Sequence, residues 1–234
     1  MRAQDIQARL RVLANPADAK ALRWFFKTGP GEYGAGDVFI GVRVPQIRAL
    51  VREIRGDDEQ TVQALLASAV HEERLLALLL LARQFERGME ADRRRIVRLY
   101  LESTDRINNW DLVDLSAPNI LGAWLLDRSR APLDRLARSR SLWERRIAIV
   151  ATHAFIRRGQ FGDTVRIAER LLQDRADLIH KAVGWMLREV GKRDVSALEA
   201  FLKPHCASMP RTMLRYAIER FPEARRQAYL RGVV

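Results

Sequence analysis

Apolar residues recur along almost the whole chain at intervals of three and four, the spacing that places them on one face of an α-helix. The strict alternation of apolar and polar residues that is typical of a half-buried strand is missing. Asn15 and Pro16 mark the start of one helix, and Pro45 lies in the first turn of another over residues 46–54. Three predicted helix ends are marked by glycines, namely Gly56, Gly88 and Gly159. The pattern predicts an all-α protein with roughly a dozen short helices.

One segment departs from the helical pattern. Residues 28–43 contain Gly29, Pro30, Gly31, Gly34, Gly36 and Gly41. Because glycine and proline both disfavour helix, this segment is predicted to be a long loop. A loop of this length is more often functional than accidental, but glycines outside a strand-to-helix turn are weak evidence for phosphate binding.

Similar helical segments recur at steps of about 36 residues. In register, the segments align small or short aliphatic residues at Ala77, Val113, Ala148, Gly184 and Ala217. One helix pair per ~35 to 47 residues is typical of HEAT or armadillo repeats, in which each pair buries its apolar face against its neighbours. The sequence therefore predicts a single domain over residues 1–234, an α-solenoid of HEAT-like helical repeats that is curved and has a basic concave face.

The repeat register groups a set of chemically active side chains. The residue after each aligned position is Leu78, Asp114, Ile149, Trp185 or Ile218, so one carboxylate and one indole occur among aliphatic residues. Trp110 lies one helical turn before Asp114, on the same face. Basic residues occur close to these positions in the later repeats, at Arg145, Arg146, Lys181 and Arg188.

Each of these residues also has a purely structural interpretation. Trp110 and Trp185 could be core residues. Asp114 could be solvated or cap the next helix, and Arg146 could pair with Glu144. We favour the joint functional interpretation, because several unrelated structural roles would otherwise have to fall on one face.

The charge of the chain points to a polyanionic partner. The chain has 41 basic and 29 acidic residues, a net charge of +12 and a pI of about 10.8. Codon bias could account for the high share of arginine, because only five of the basic residues are lysine. It does not account for the excess of positive charge, which favours binding to nucleic acid or to an anionic surface.

Several classes of protein are excluded at this stage. The longest apolar run, residues 75–82, is too short to span a bilayer, and the N-terminal residues lack the apolar stretch of a secretory signal. We therefore expect a cytoplasmic protein. Cys206 is the only cysteine, so neither an internal disulfide nor a zinc site is expected. No catalytic role is assigned to the four scattered histidines, His71, His153, His180 and His205.

Four stretches carry a resemblance to a known family. They are residues 39–50, 107–122, 141–156 and 177–192, and the similarity extends from about Leu22 to Arg220. The most specific pieces are the Trp-Asp-x-x-Asp of residues 110–114 and the Gly-Trp-x-Leu-Arg-Glu of residues 184–189. In these motifs the chain resembles the DNA alkylation repair family, the AlkD-type alkylpurine DNA glycosylases. The resemblance implies a HEAT-like solenoid, in agreement with the repeat spacing.

The resemblance also implies roles for individual residues. The catalytic aspartate of the family falls on Asp114, and its aromatic contacts to the sugar fall on Trp110 and Trp185. Its phosphate-contacting arginine falls on Arg146, three residues after Trp143, with Arg145 as the neighbouring alternative. Arg188 is a further expected contact to the DNA backbone, and Lys181 is the only lysine near the predicted wall.

The implied activity is hydrolysis of the N-glycosidic bond of cationic purines such as 3-methyladenine and 7-methylguanine in duplex DNA. The enzyme is expected to be monofunctional, to leave an abasic site, and to act as a monomer without a metal, a cofactor or a membrane. Two alternatives are a non-catalytic solenoid that binds DNA or an acidic protein, and an RNA-binding helical repeat. The presence of Asp114 disfavours the first, and the lack of matching polar residues in the repeats disfavours the second.

Overall fold

The computed structural model describes residues 1–54 and 58–233, and helices make up 69% of the protein. The helices are α1 (Ala3–Val12), α2 (Pro16–Phe25), α3 (Val44–Glu53), α4 (Glu59–Leu66), α5 (His71–Arg87), α6 (Glu90–Glu102), α7 (Trp110–Ser116), α8 (Ala123–Leu125), α9 (Ala131–Ala137), α10 (Leu142–Ala151), α11 (His153–Ile156), α12 (Gly162–Arg170), α13 (Asp177–Gly191), α14 (Val195–His205), α15 (Arg211–Ala217) and α16 (Glu223–Arg231). A 3₁₀ turn covers Thr104–Arg106 and a π-helical turn covers Pro118–Gly122. In this described part, extended pairing is limited to one bridge between Val38 and Val70.

The predicted helix signals agree closely with the observed bounds. The Asn15 side chain caps α2 by accepting hydrogen bonds from the N–H groups of Ala17 and Asp18 at 2.9 and 3.2 Å. α3 has Pro45 in its first turn as predicted, and its bounds lie within two residues of the predicted ones. Gly88 directly follows α5, and Gly159 follows α11 with a φ of +70°. The helix end predicted at Gly56 lies outside the described residues.

The chain forms two compact units, Met1–Ser116 and Ala117–Val234. In the first unit α5 is central and packs against α3, α4, α6 and α7. A helix with neighbours on several sides must be apolar around most of its circumference, which explains the leucine-rich run of residues 75–82. Leu75, Leu76 and Leu80 are accordingly buried.

The glycine-rich segment is confirmed as a loop, and it is fixed to the start of α5. The Glu72 carboxylate accepts hydrogen bonds from three successive backbone N–H groups, those of residues 40–42, at 2.8 to 3.3 Å. The backbone N–H of His71 donates to the carbonyl of Val38 at 2.8 Å. Because these backbone groups are buried or partly buried, the carboxylate replaces the water that would otherwise satisfy them.

In the second unit α13 packs against α10, α14 and α15. Gly184 lies where α13 meets α15, and a Cβ atom on it would be 2.5 Å from both the Met213 carbonyl oxygen and the Tyr216 Cβ. The small residue therefore permits close approach of the two helices.

The repeat register is reflected in burial. All five aligned small residues are buried. At the next position the aliphatic Leu78, Ile149 and Ile218 are buried as well, whereas Asp114 and Trp185 remain partly exposed. The prediction of an all-α solenoid is confirmed. The single domain over residues 1–234 and the curved, basic concave face stay predictions.

Among the described residues, no helix combines the length and the apolar character needed to cross a bilayer.

Candidate active site

The first unit places Trp110 and Asp114 one turn apart on α7. Both side chains are half-buried, so neither is a fully buried core residue. Positions i and i+4 of a helix share one face, which keeps the indole and the carboxylate as neighbours on the helix surface. Ala117 already has helical φ and ψ of −55° and −46°, so there is no break after α7 at which Asp114 would cap a new helix.

The Trp110 ring belongs to a group of four packed aromatic rings. We call this group, formed by Trp110, Phe25, Phe26 and Phe39, the aromatic stack. The Trp110 ring is stacked on Phe26 with centroids 5.1 Å apart and meets the edge of Phe25 at 5.8 Å. Phe26 in turn stacks on Phe39 at 5.0 Å. Such ring pairs add about 0.5–1.5 kcal/mol each beyond the area that they bury. The indole plane is therefore fixed by the C-terminal end of α2.

A buried polar cluster lies behind this stack. His71 contacts Asp37 through Nδ1 at 3.1 Å and Asp111 through Nε2 at 2.8 Å. Its ring also stacks on Phe39 at 4.4 Å and lies 5.2 Å from Phe26. The three polar residues are at most 8% exposed. Asp111 precedes the candidate catalytic residue by three positions, so the cluster is attached directly to α7.

Asp37 accepts hydrogen bonds from three further side chains. Its carboxylate accepts from Arg74 Nη2 at 2.6 Å, from Asn108 at 3.0 Å and from Asn109 at 3.4 Å, in addition to the contact with His71. Burial alone would raise the pKa of Asp37, but the hydrogen bond to His71 and the charge of Arg74 lower it below the ordinary value. Asp37 is therefore an ionised, buried carboxylate.

The other side of α7 is fixed by a tyrosine. The Tyr100 hydroxyl and the Ser116 hydroxyl are 3.0 Å apart, and Ser116 also donates to the Leu112 carbonyl at 2.5 Å. The pKa of Tyr100 is raised, first by complete burial and also by the negative charge of Asp114. Tyr100 is thus a neutral hydroxyl within the electrostatic influence of the candidate catalytic carboxylate.

The second unit orients Trp185 through a carboxylate on its own helix. The indole Nε1 donates to Glu189 at 3.1 Å, and the same carboxylate oxygen accepts from Lys192 at 2.6 Å. The His153 ring lies 5.9 Å from the indole. Trp185 is half-buried, and its polar edge is turned towards Glu189.

A pH dependence follows from this arrangement. Burial raises the pKa of Glu189, but Lys192 and the Trp185 N–H lower it below its ordinary value. A carboxylate with a lowered pKa stabilises the fold above its unfolded pKa, and this contribution is lost as the pH falls through its folded pKa. Glu189→Gln keeps an acceptor for Trp185 but loses the charge. We expect wild type to exceed this variant by about 1 kcal/mol in unfolding free energy at pH 7, in urea titrations, and the difference to vanish in acid. A difference that stays constant down to pH 3 would contradict the ion pair.

The arginines predicted to contact DNA already have protein partners. Arg146 is 5% exposed and donates from Nη1 to the Leu178 carbonyl at 2.6 Å. Arg145 donates from Nε to Asp174 at 2.6 Å and from Nη1 to the carbonyls of Ser139 and Arg140 at 3.0 and 2.9 Å. Both side chains thus help to join neighbouring segments of the second unit, and their contacts to phosphate stay predictions.

Lys181 and Arg188 lie on α13 with Trp185. The Lys181 ammonium lies 2.8 Å from Asp177, and the Arg188 guanidinium forms an ion pair with Glu219. Lys181 is more exposed than Arg188, at 41% against 17% of the side chain. α13 therefore presents one indole and two cations, each held by a carboxylate.

Sequence reasoning missed the cluster of His71, Asp37 and Asp111. Asp111 is the second residue of the Trp-Asp-x-x-Asp motif, and that position was the available signal. The other three histidines belong to the second unit. His153, whose pKa is lowered first by burial, is near Trp185, and His180 contacts the Asp174 carbonyl at 2.5 Å. Within residues 1–54 and 58–233, no group of three or more His, Cys, Asp or Glu side chains is arranged to hold a metal ion.

Comparison with known proteins agrees with the fold. A solved structure from Enterococcus faecalis, described as a predicted DNA alkylation repair enzyme, superposes with a TM-score of 0.71 over 90% of this chain and 97% of that chain, at 17% sequence identity. No curated protein matches the sequence. The profile of the family described as DNA alkylation repair enzyme matches residues 6–221. The chain therefore belongs to the DNA alkylation repair enzyme family.

Proposed function

We propose that this protein is a monofunctional DNA glycosylase that hydrolyses the N-glycosidic bond of cationic alkylated purines, of the 3-methyladenine and 7-methylguanine type, in duplex DNA. The observation that carries the proposal is the pair formed by a partly exposed Asp114 and a partly exposed Trp110, one turn apart on a helix whose orientation is fixed by buried contacts. We propose that it works as a monomer in the cytoplasm and leaves an abasic site.

The chemistry of the substrate explains why one carboxylate suffices. An alkylated purine carries its positive charge on the base, so the base leaves as a neutral group without a general acid. The deoxyribose becomes oxocarbenium-like and positive as the bond breaks. Asp114 would stabilise that charge and orient a water for attack on the anomeric carbon.

The two indoles would assist the same transition state. The faces of Trp110 and Trp185 are rich in electron density and attract a cation by about 0.5–2 kcal/mol, most strongly where water is excluded. Each indole is held by its own unit, Trp110 by the aromatic stack and Trp185 by Glu189. Rings that are held before the substrate binds lose little conformational entropy on binding.

The lysine content supports a monofunctional reaction. A bifunctional glycosylase needs an uncharged amine that forms a Schiff base with the sugar. The ammonium of Lys181 is paired with Asp177 at 2.8 Å, so this amine is engaged in an ion pair on its own helix. Hydrolysis by water is the simpler route.

The net charge of +12 supports association with the DNA backbone, and we assign phosphate contacts to Arg145, Arg146, Lys181 and Arg188. For Arg146→Ala we expect weaker DNA binding and a salt slope that is shallower by about 0.9, the change for one lost phosphate contact. The measurement is fluorescence anisotropy of a labelled duplex across a series of salt concentrations.

Arg94→Ala is the matched control for Arg146→Ala. Replacing Arg94 changes the net charge by the same amount as replacing Arg146. Arg94 is exposed on α6, and its ion pair is with Glu90 of the same helix, at 3.7 Å. We expect its slope to stay close to that of wild type. An unchanged slope in Arg146→Ala would show that this side chain does not contact phosphate.

The proposed function is tested by incubating the protein with duplex DNA that contains 7-methylguanine or 3-methyladenine and measuring the free base by chromatography. We expect release of both cationic bases and no comparable release of uracil or hypoxanthine, which leave less readily. Tight DNA binding without base release would instead favour the non-catalytic solenoid. Release of neutral bases at similar rates would contradict selection by bond lability.

A further inference from the structure

We propose that His71 is a positioning residue for this site, an imidazolium held between Asp37 and Asp111 that fixes the start of α7 and the plane of the Trp110 ring. The consequence for catalysis rests on the proposed function, while the structural part does not. His71 contacts α7 through Asp111, three residues before Asp114, and it would act on the site through Asp111 and the aromatic stack.

The first argument is the geometry of the hydrogen bonds. Both ring nitrogens of His71 face a carboxylate oxygen, at 3.1 Å for Asp37 and 2.8 Å for Asp111. An ionised carboxylate can only accept a hydrogen bond, and a neutral imidazole can donate from only one nitrogen. Only the imidazolium satisfies both contacts.

The second argument is the local charge balance. The cluster contains two carboxylates, Asp37 and Asp111, and the guanidinium of Arg74, all at most 8% exposed. A neutral His71 would leave one uncompensated negative charge in this buried group, which is costly in a medium of low dielectric constant. A protonated His71 makes the cluster neutral.

The third argument is that His71 contacts both the backbone neighbour of Trp110 and the rings that pack around its indole. Through Asp111 it is joined to the residue that follows Trp110, and Asp111 also accepts from the Leu112 N–H at 2.8 Å. Through its ring it contacts Phe26 and Phe39 of the aromatic stack. Backbone and side chain of the indole are therefore both tied to one imidazole.

The expected pH dependence has a definite sign. Burial alone would lower the pKa of His71 and Arg74 lowers it further, but the charge of Asp111 and the hydrogen bonds to both carboxylates raise it above its ordinary value. A group whose pKa is raised by folding stabilises the fold below its unfolded pKa of about 6.5. That contribution is lost as the pH rises through the folded pKa of His71. The Trp110 ring should therefore become more mobile at pH values above that pKa.

The first test uses the wild-type protein and needs no activity. Nitrogen NMR of the imidazole, assigned with His71→Gln, reports how many ring nitrogens are protonated. We expect both to be protonated at pH 6.5, where an ordinary imidazole is only half protonated. In protein labelled with 5-fluorotryptophan, the Trp110 fluorine signal, assigned with Trp110→Phe, should move on titration of His71 and in His71→Gln. The signal of Trp124, whose ring lies 3.7 Å from the Arg128 guanidinium, serves as the internal reference and should stay in place.

The second test measures catalysis. His71→Gln carries both of its N–H donors on a single nitrogen and has no charge, so it does not reproduce the two separate, charged donors of the imidazolium. We expect single-turnover base release at saturating protein to fall by up to about 10²-fold, while DNA affinity stays close to wild type. The wild-type rate, corrected for spontaneous release, should fall as the pH rises through the His71 titration, and the variant should lack this limb. His205→Gln, which removes a histidine paired with Glu169 at 3.5 Å, is the control and should behave like wild type.

The outcomes separate the two proposals. A neutral His71 at pH 6.5, or a Trp110 signal that is unchanged in His71→Gln, would overturn the positioning role even if wild type releases alkylated bases. Joint titration of His71 and Trp110 in a protein that releases no base would support the positioning role and overturn the proposed glycosylase. If His71→Gln does not fold, the wild-type titration still decides.

Discussion

Asp114→Asn is expected to lower the rate of alkylpurine release by about 10²- to 10³-fold while leaving DNA affinity and its salt slope near the wild-type values. Asparagine has the same shape as aspartate but no negative charge, so it removes the stabilisation of the oxocarbenium-like sugar and the activation of water. The measurement is single-turnover release of 7-methylguanine from duplex DNA at saturating protein, together with anisotropy titrations of the same duplex.

The matched control for this substitution is Asp105→Asn. Asp105 lies in the same unit, in the turn Thr104–Arg106, and its side chain is 72% exposed. The same chemical change there should leave release and binding unaffected. Equal release from wild type and Asp114→Asn would remove Asp114 from the mechanism, and loss of binding in that variant would show that the carboxylate acts on the fold.

The helical pattern predicted most of the fold because helix formation follows local rules. Apolar spacing, Asn15 as a cap and the small residue at Gly184 each act within a few residues or within one helix pair, so they are visible in the sequence. The motif of residues 110–114 likewise placed an indole and a carboxylate on one helix face. This part of the candidate site was predictable from spacing alone.

The buried polar cluster was not predictable in the same way. Its contacts join residues 34 and 40 positions apart, across a loop and two helices, and no periodicity records them. The run His71, Glu72, Glu73 and Arg74 is also typical of a solvated helix start in composition. It is buried because the loop covers Glu72 through backbone N–H groups and α1 covers Glu73 through Gln7 and Arg11, and both contacts depend on tertiary structure.

Arg145 and Arg146 show a second limit on what the sequence can predict. Sequence places Arg145 and Arg146 next to each other on α10, and either could face a ligand or a protein partner. The structure adds the Leu178 carbonyl and the Asp174 carboxylate, which lie about one repeat further along the chain. A basic residue in a repeat protein can therefore join neighbouring repeats as readily as it can bind phosphate.

Gly41→Ala is expected to destabilise the protein by about 3 kcal/mol, measured as unfolding free energy in urea. Gly41 has a φ of +85°, which costs a residue with a Cβ about 1–2 kcal/mol. Its Cβ would also lie 2.0 Å from the Asn15 carbonyl oxygen and 2.6 Å from the Ala19 nitrogen. Because both obstacles are backbone atoms, relief requires the loop to move away from α2, which adds about 1–3 kcal/mol.

Gly31→Ala separates these two costs within the same loop. Gly31 has a similar φ of +79°, but a Cβ on it would meet no atom of the described structure within 4 Å. It should therefore lose only the conformational term of about 1–2 kcal/mol. The difference between the variants measures how tightly the loop is packed against α2, and equal losses would show that the loop lies further from the helix than described.

The same loop also links Gly41 to the candidate site. Because the Gly41 N–H donates to Glu72 at 2.8 Å, a displaced loop would loosen the first turn of α5, where His71 contacts α7. Gly41→Ala should for that reason slow base release as well, whereas Gly31→Ala should not.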